Sequence, residues 1–346
     1  MSTSARRRRW AVWPLLPLLL AVFAAGCSSG SDDDPDTTAA TATGGSVDLS
    51  SVTLRIGDQK ATAVQALLDS AGALDGVPYR IEWSTFTSGP PQMEALAANA
   101  IDIGSVGDTP AVFAAASGAD IRIAGAYRED PSGAAILVPK DSPIRTPADL
   151  RGRKIAYAQG SSAHYHLLAA LTKAGLTFDD ITPAILQPSD ALAAFGKGDI
   201  DAWAIWDPYT AIAQQTANAR VLVDGDGLVA GLSFQVARAK ALDDPATSAA
   251  ISDFLVRLAK ARLWAIDNKD TWADRWAKET NISVDVARTA VARQDRRPVA
   301  VDATVIADVQ KIADAFHGAK LIPTKVDAAK LTTDRYNAAV TATAPR

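Results

Sequence analysis

From Val52 onward, short runs of apolar and β-branched residues alternate with longer stretches in which apolar positions recur at helical spacing. The pattern predicts strands over 52–57, 79–84, 101–106, 121–127 and 134–138, interleaved with helices over 62–70, 91–100 and 111–117. A Pro- and Asp-rich stretch at 139–149 interrupts the rhythm. It then resumes with strands over 154–158, 181–186, 201–205, 220–223 and 232–237 and helices over 163–174 and 189–196. Beyond Asp244 the pattern is helical throughout, over 245–268, 270–279, 284–294 and 303–318. Trp264, Trp272 and Trp276 sit in that block at a spacing that suits core packing better than ligand contact.

A βαβα succession of this kind predicts an α/β chain with mainly parallel sheets flanked by helices. The interruptions near 139 and 231 read as crossings between two lobes. The first lobe is expected over 51–138 plus 232–346, and the second over 139–231. At 346 residues the chain is long enough for two domains of ordinary size. Ligands in such folds sit in the cleft between lobes, which close about a hinge.

The amino terminus departs from this pattern. Arg6–Arg9 precede an apolar run over 10–25, shorter than the ~20 residues a membrane span needs and suited to a signal-peptide core. The run ends in Ala24-Ala25-Gly26-Cys27, at the only cysteine, and resembles a bacterial lipobox. On that reading 1–26 is a lipoprotein signal peptide, Cys27 is lipidated, and 27–50 is a flexible acidic tether too polar to bury a core. The other reading of a lone cysteine is a small buried hydrophobe. Removing 1–26 takes away four arginines and no acids, moving the net charge from −4 to −8. A body that acidic needs an anchor to stay at an anionic membrane and has no basic face for nucleic acid. One cysteine excludes a disulfide framework, and three histidines (His164, His166, His317) leave little for a metal site; no cofactor is implied.

Candidate chemistry gathers where strands hand over to helices. Thr87-Ser88-Gly89-Pro90-Pro91, Gly107-Asp108-Thr109-Pro110 and Gly160-Ser161-Ser162-Ala163-His164 each place small hydroxyl residues and glycine at a helix start. Taken singly these are ordinary helix caps. Together, at strand ends of two facing lobes, they offer backbone N–H groups and hydroxyls to one anion. Neither phosphate-loop nor dinucleotide glycine pattern is present, and no lysine stands beside these loops. Neutral donors of this kind suit a permanently ionised monoanion. Trp203-Ala204-Ile205-Trp206-Asp207-Pro208 offers an aromatic wall. Asp295-Arg296-Arg297-Pro298 brings two guanidiniums that serve either the cleft or a solvated helix end.

In order along the chain, Leu54-Arg55-Ile56-Gly57, Gln59-Lys60, Ser88-Gly89-Pro90, Gly107-Asp108-Thr109-Pro110 and Ile136-Leu137-Val138-Pro139 form the first half of a family pattern. Gly160-Ser161-Ser162-Ala163-His164, Asp201-Ala202-Trp203-Ala204-Ile205-Trp206-Asp207-Pro208 and Arg297-Pro298 complete it. Over about Val52 to Val326 the chain resembles the aliphatic sulfonate-binding proteins of ABC importers, in the wider family that also serves taurine and nitrate. The resemblance implies a two-lobe, periplasmic-binding-protein-like fold of the type II clamshell. It implies that Gln59, Ser88, Thr109, Ser161 and Ser162 hydrogen-bond sulfonate oxygens and that Gly89 and Ala163 give backbone amides. Pro90, Asp108 and Asp207 would complete the loops, His164 would either donate beside the anion loop or pack at the helix start, Trp206 would pack on the tail, and Arg297 would close the cleft. The implied partners are an organosulfonate, a permease and its ATPase subunits, with the membrane reached only through the lipid anchor and the protein working as a monomer. Asp58 and Asp108, if they face the cleft, would favour a ligand carrying an amine. The same transport role for taurine, nitrate or another small anion or nitrogenous ligand is the alternative within this class. An enzyme is disfavoured, because Ser161 and His164 lack an orienting carboxylate, and a surface adhesin is disfavoured by the donor-rich loops.

Overall fold

The computed structural model describes residues 47–343. The signal peptide expected over 1–26, Cys27 and all but the end of the tether expected over 27–50 lie outside the described residues.

Four strands open the fold: β1 (Thr53–Gln59), β2 (Arg80–Phe86), β3 (Ile103–Gly107) and β4 (Ile121–Arg128). Five follow in a second sheet: β5 (Ala135–Pro139), β6 (Lys154–Tyr157), β7 (Thr182–Ile185), β8 (Ala202–Ile205) and β9 (Ala219–Asp224). The chain then returns to the first sheet with β10 (Leu232–Arg238) and β11 (Arg297–Val299). The sheets run β11-β4-β10-β3-β1-β2 and β7-β6-β8-β5-β9. This is the α/β two-lobe architecture that the alternating pattern implies.

Two expectations need correction. The sheets are mixed rather than mainly parallel: β1 is parallel to β2 and β3, and β6 to β7 and β8, but β10 and β5 run antiparallel to their neighbours. The reason is geometric. β4 and β9 end at the cleft, so the strand that follows each crossing must enter its new sheet from the cleft end, against the others. The first crossing also comes earlier than expected. β5 belongs to the second sheet, so 135–138 is not part of the first lobe and the chain crosses over 129–134, not near 139. The two crossings run side by side, with the Glu129 N–H donating to the Gly231 carbonyl at 2.9 Å. Gly231 has φ +62°, and a Cβ there would lie 2.2 Å from the Glu129 carbonyl oxygen, so only glycine fits.

Helices cover both faces of the first sheet. On one side lie α1 (Val64–Ser70), α7 (Ala239–Asp243), α8 (Pro245–Asp267), α9 (Lys269–Thr280) and α10 (Val284–Ala292), whose buried Val64, Leu67, Phe254 and Leu258 meet Leu54 and Ile56 of β1. On the other lie α2 (Gly89–Ala97), α3 (Pro110–Ala116) and α11 (Ala303–Gly318). Trp272 and Trp276 are buried in the first layer with rings stacked at 5.8 Å, and the Trp276 indole N–H donates to the Ala61 carbonyl at 2.9 Å. Trp264 is only partly buried beside them. The second sheet packs against α4 (Ser162–Lys173), α5 (Pro188–Lys197) and α6 (Tyr209–Thr216). α6 and the three-residue β11 are too short and too interrupted to show a period in the sequence.

Candidate functional site

β2, β3 and β6 all point their carboxyl ends at the cleft, and α2, α3 and α4 start there. Ser88, Thr109 and Ser161 occupy the cap positions, yet none bonds to an N–H of its own helix. By contrast Asp244, Ser283 and Asp302 cap α8, α10 and α11 in the ordinary way. The three cleft hydroxyls are turned elsewhere. Ser88 Oγ donates to Gln187 Oε1 at 2.9 Å, Thr109 Oγ1 to Asp108 Oδ1 at 2.8 Å, and Ser161 Oγ to the Ala158 carbonyl at 2.7 Å. The first turns of α2 and α4 are therefore left without side-chain acceptors, the condition in which a helix start receives an anion.

Between the sheets lies a cavity of about 110 Å³, against the roughly 10–15 Å³ that a single water needs. Of the residues singled out in the sequence, Gln59, Gly89, Asp108, Ser161, Ser162, Trp206 and Asp207 line it. Gln59 also anchors its floor. Its Nε2 donates to the Ser105 carbonyl at 2.9 Å, and Ser105 Oγ donates to Gln235 Oε1 at 2.8 Å. Ser162 meets the opposite lobe so closely that a Cβ on Gly107 would lie 1.9 Å from its Oγ. Asp108 is buried, and burial raises its carboxyl to about 6 despite the hydroxyls of Thr109 and Ser162 that favour its charge.

Ser88, Pro90, Thr109, Ala163, His164 and Arg297 stand outside the cavity wall. Ser88 and Thr109 are wholly buried, their hydroxyls committed as above. His164 is enclosed by aromatic rings: stacked on Tyr157 at 4.6 Å, with Phe113, Phe178 and Phe316 at 4.9–5.5 Å. Its Nδ1 accepts from the Gly160 N–H at 3.1 Å, and burial lowers its pKa to about 3, so it is a neutral packing residue here. Arg297 is exposed on the edge strand β11. It is Arg293 and Arg296 that face the cavity, the first paired with Asp207 at 2.8 Å and the second with Glu129. Alternate residues of an extended segment point to opposite sides, which is why the neighbouring arginine takes the place expected for Arg297. Asp58 does not reach the cavity either; it accepts from Thr62 Oγ1 and the Gln65 N–H at the start of α1.

The sequence reading also missed charge. Arg262 on α8, Tyr127 and Glu129 on and after β4, and Gln235 on β10 all line the cavity. The signal for Arg262 was present, since it follows Ile251, Leu255 and Leu258 on the buried stripe of its helix, where an arginine is out of place. Among the described residues no cluster of His, Cys, Asp and Glu is arranged to hold a metal ion.

Comparison with known proteins then decides the family. Over 280 residues the chain is 39% identical to the aliphatic sulfonates-binding protein of Escherichia coli (strain K12), covering 79% of this chain and 86% of that one. The chain belongs to the aliphatic sulfonate-binding proteins. The family model described as NMT1/THI5 like matches residues 87–244. Among solved structures, the alkanesulfonate-binding protein of Xanthomonas axonopodis pv. citri, bound to MOPS, matches with a TM-score of 0.76 at 35% identity, covering 81% of this chain and 98% of that one. A desulfurization enzyme shares the fold of the aliphatic sulfonate-binding proteins at 17% identity and a TM-score of 0.62, over 84% of this chain and 99% of that one. That likeness is one of scaffold alone.

Proposed function

We propose that this chain is the substrate-binding component of an ABC importer, capturing an organosulfonate between its lobes and delivering it to a membrane permease. The observation that carries this reading is the cavity at the two uncapped helix starts, α2 and α4, in a chain whose relatives are named for sulfonates. The Gly89 N–H and the backbone N–H groups near Ser162, with the Gln59 amide, would meet the three sulfonate oxygens, and the Ser161 and Ser162 hydroxyls would join them by turning from the Ala158 carbonyl and Asp108. Trp206 would cover the carbon next to sulfur. Thr109, Ser88 and Ala163 then act one step back, by fixing the loops. The ligand is bound and released unchanged. The first 26 residues would direct export, and lipidated Cys27 would hold the body outside the cytoplasmic membrane by its acidic tether, with the folded part working as a monomer. Among the described residues no helix is long and apolar enough to span a membrane.

Calorimetric titration of the purified protein tests the ligand class, using short and long alkanesulfonates, taurine, nitrate and sulfate. Binding of sulfonates with nitrate and sulfate silent is the expected result; nitrate or sulfate binding more tightly than every sulfonate would overturn it.

A further inference from the structure

Arg262 sits in the cavity wall with only 6% of its surface exposed, yet it makes no ion pair and no hydrogen bond among the described residues. Its Nε is fully buried and unpartnered. The acids close enough to act on it are committed: Glu129 to Arg296, and Asp58 to Thr62 and the start of α1. The remaining arginine of the cavity, Arg293, is paired with Asp207. Beside Arg262, the Tyr127 hydroxyl is likewise buried, lines the cavity and has no partner. Burial, and then Arg296, lower the guanidinium to about 10, which leaves it charged at neutral pH.

A buried charged donor left unpaired is strongly unfavourable, and a methylene tail laid over it would cover it without bonding. We infer that Arg262 and Tyr127 form a second polar subsite, and that the ligand class is an organosulfonate bearing a carboxylate at its other end. This inference rests on the sulfonate reading above. In it the sulfonate occupies the helix starts of α2 and α4, and the carboxylate takes the planar fork of Arg262 with the Tyr127 hydroxyl donating alongside. The sequence context agrees: Arg262 is the one charged residue among the buried positions of a 23-residue helix.

The test compares 3-sulfopropanoate with 1-butanesulfonate, of similar length, by calorimetry on the purified protein and on Arg262→Met and Arg262→Lys. The expected result is at least a tenfold preference of the unmodified protein for 3-sulfopropanoate, about 1.4 kcal/mol. In Arg262→Met that ratio should collapse to near unity, and in Arg262→Lys part of it should survive. Equal or tighter binding of 1-butanesulfonate by the unmodified protein would overturn the inference and leave the sulfonate reading standing. So would a ratio unchanged in Arg262→Met, which would assign the arginine to the sulfonate itself. Failure of both compounds to bind folded protein would overturn the two readings together. Should Arg262→Met not fold, the preference in the unmodified protein and its response in Arg262→Lys decide the matter.

Discussion

Asp108 and Asp207 both line the cavity with carboxyl groups that burial raises to about 6. An anion entering beside an ionised Asp108 meets like charge; beside a protonated one it does not. Affinity for a sulfonate should therefore fall as pH rises through about 6. A drop of about tenfold corresponds to one pKa unit of coupling. Titration at pH 5 and pH 7.5 measures it, and Asp108→Asn should lose most of the difference, leaving the smaller part that the paired Asp207 contributes. For Asp207 the relevant partner is Arg293, and the linkage sign runs the other way from a salt-bridged surface acid. A carboxyl raised in the folded state contributes stability below its ordinary pKa and loses it as pH climbs toward about 6. Arg293→Met leaves this buried carboxylate without its cation and should cost about 3 kcal/mol at pH 7.5. At pH 5, where Asp207 can take up a proton, the cost should shrink; urea unfolding at the two pH values reads the difference. These residues also mark the limit of legibility. Gln59, Gly89, Ser161 and Ser162 were recognisable because their chemistry is local to a strand–helix junction. Arg262 interrupts the apolar stripe of its helix, which marks it as out of place without saying what it faces; Arg293 acts across a sequence separation that no pattern of neighbours encodes, and Arg296 and Arg297 differ only in which side of the chain they face.

At the scale of elements, the helices that build the cleft are held in place from behind. Trp276, buried and hydrogen-bonded to Ala61, ties α9 to the turn that follows β1. Trp276→Ala removes that bond and leaves a large void, at a cost of about 3–5 kcal/mol by urea unfolding. Most strand and helix positions are readable where an element buries a regular stripe: β1 by alternation over its first four residues, α11 through Val305, Val309, Ile312 and Phe316. The sheet to which β5 belongs was not readable. Ala135–Pro139 is apolar on both faces and would suit either core, and only its antiparallel pairing with β8 and β9 assigns it. Gly107, at the end of β3, meets Ser162, at the start of α4. Gly107→Ala would push a methyl group into the serine hydroxyl, so it should weaken sulfonate binding at least tenfold while leaving the thermal unfolding of the empty protein nearly unchanged.

The whole molecule is described with its lobes in contact. Thr87 and Ser88 both donate to Gln187 across the cleft at 3.1 and 2.9 Å, and Phe113 of α3 packs against His164 of α4. A ligand that binds this closed arrangement and not the unfolded chain stabilises by mass action, about 2.7 kcal/mol at a hundredfold excess over Kd. Differential scanning calorimetry should show the melting temperature rising with sulfonate concentration, and Gln187→Ala should reduce affinity mainly by speeding release. The architecture carries one more consequence. β10 lies between β3 and β4, so the first sheet has an empty slot at its centre until Leu232–Arg238 has been synthesised. A nascent chain cannot complete that sheet early. The discontinuity that places a cleft between two lobes thus also sets a clock on folding, and under the export proposed above it would keep the chain threadable until late in its passage across the membrane.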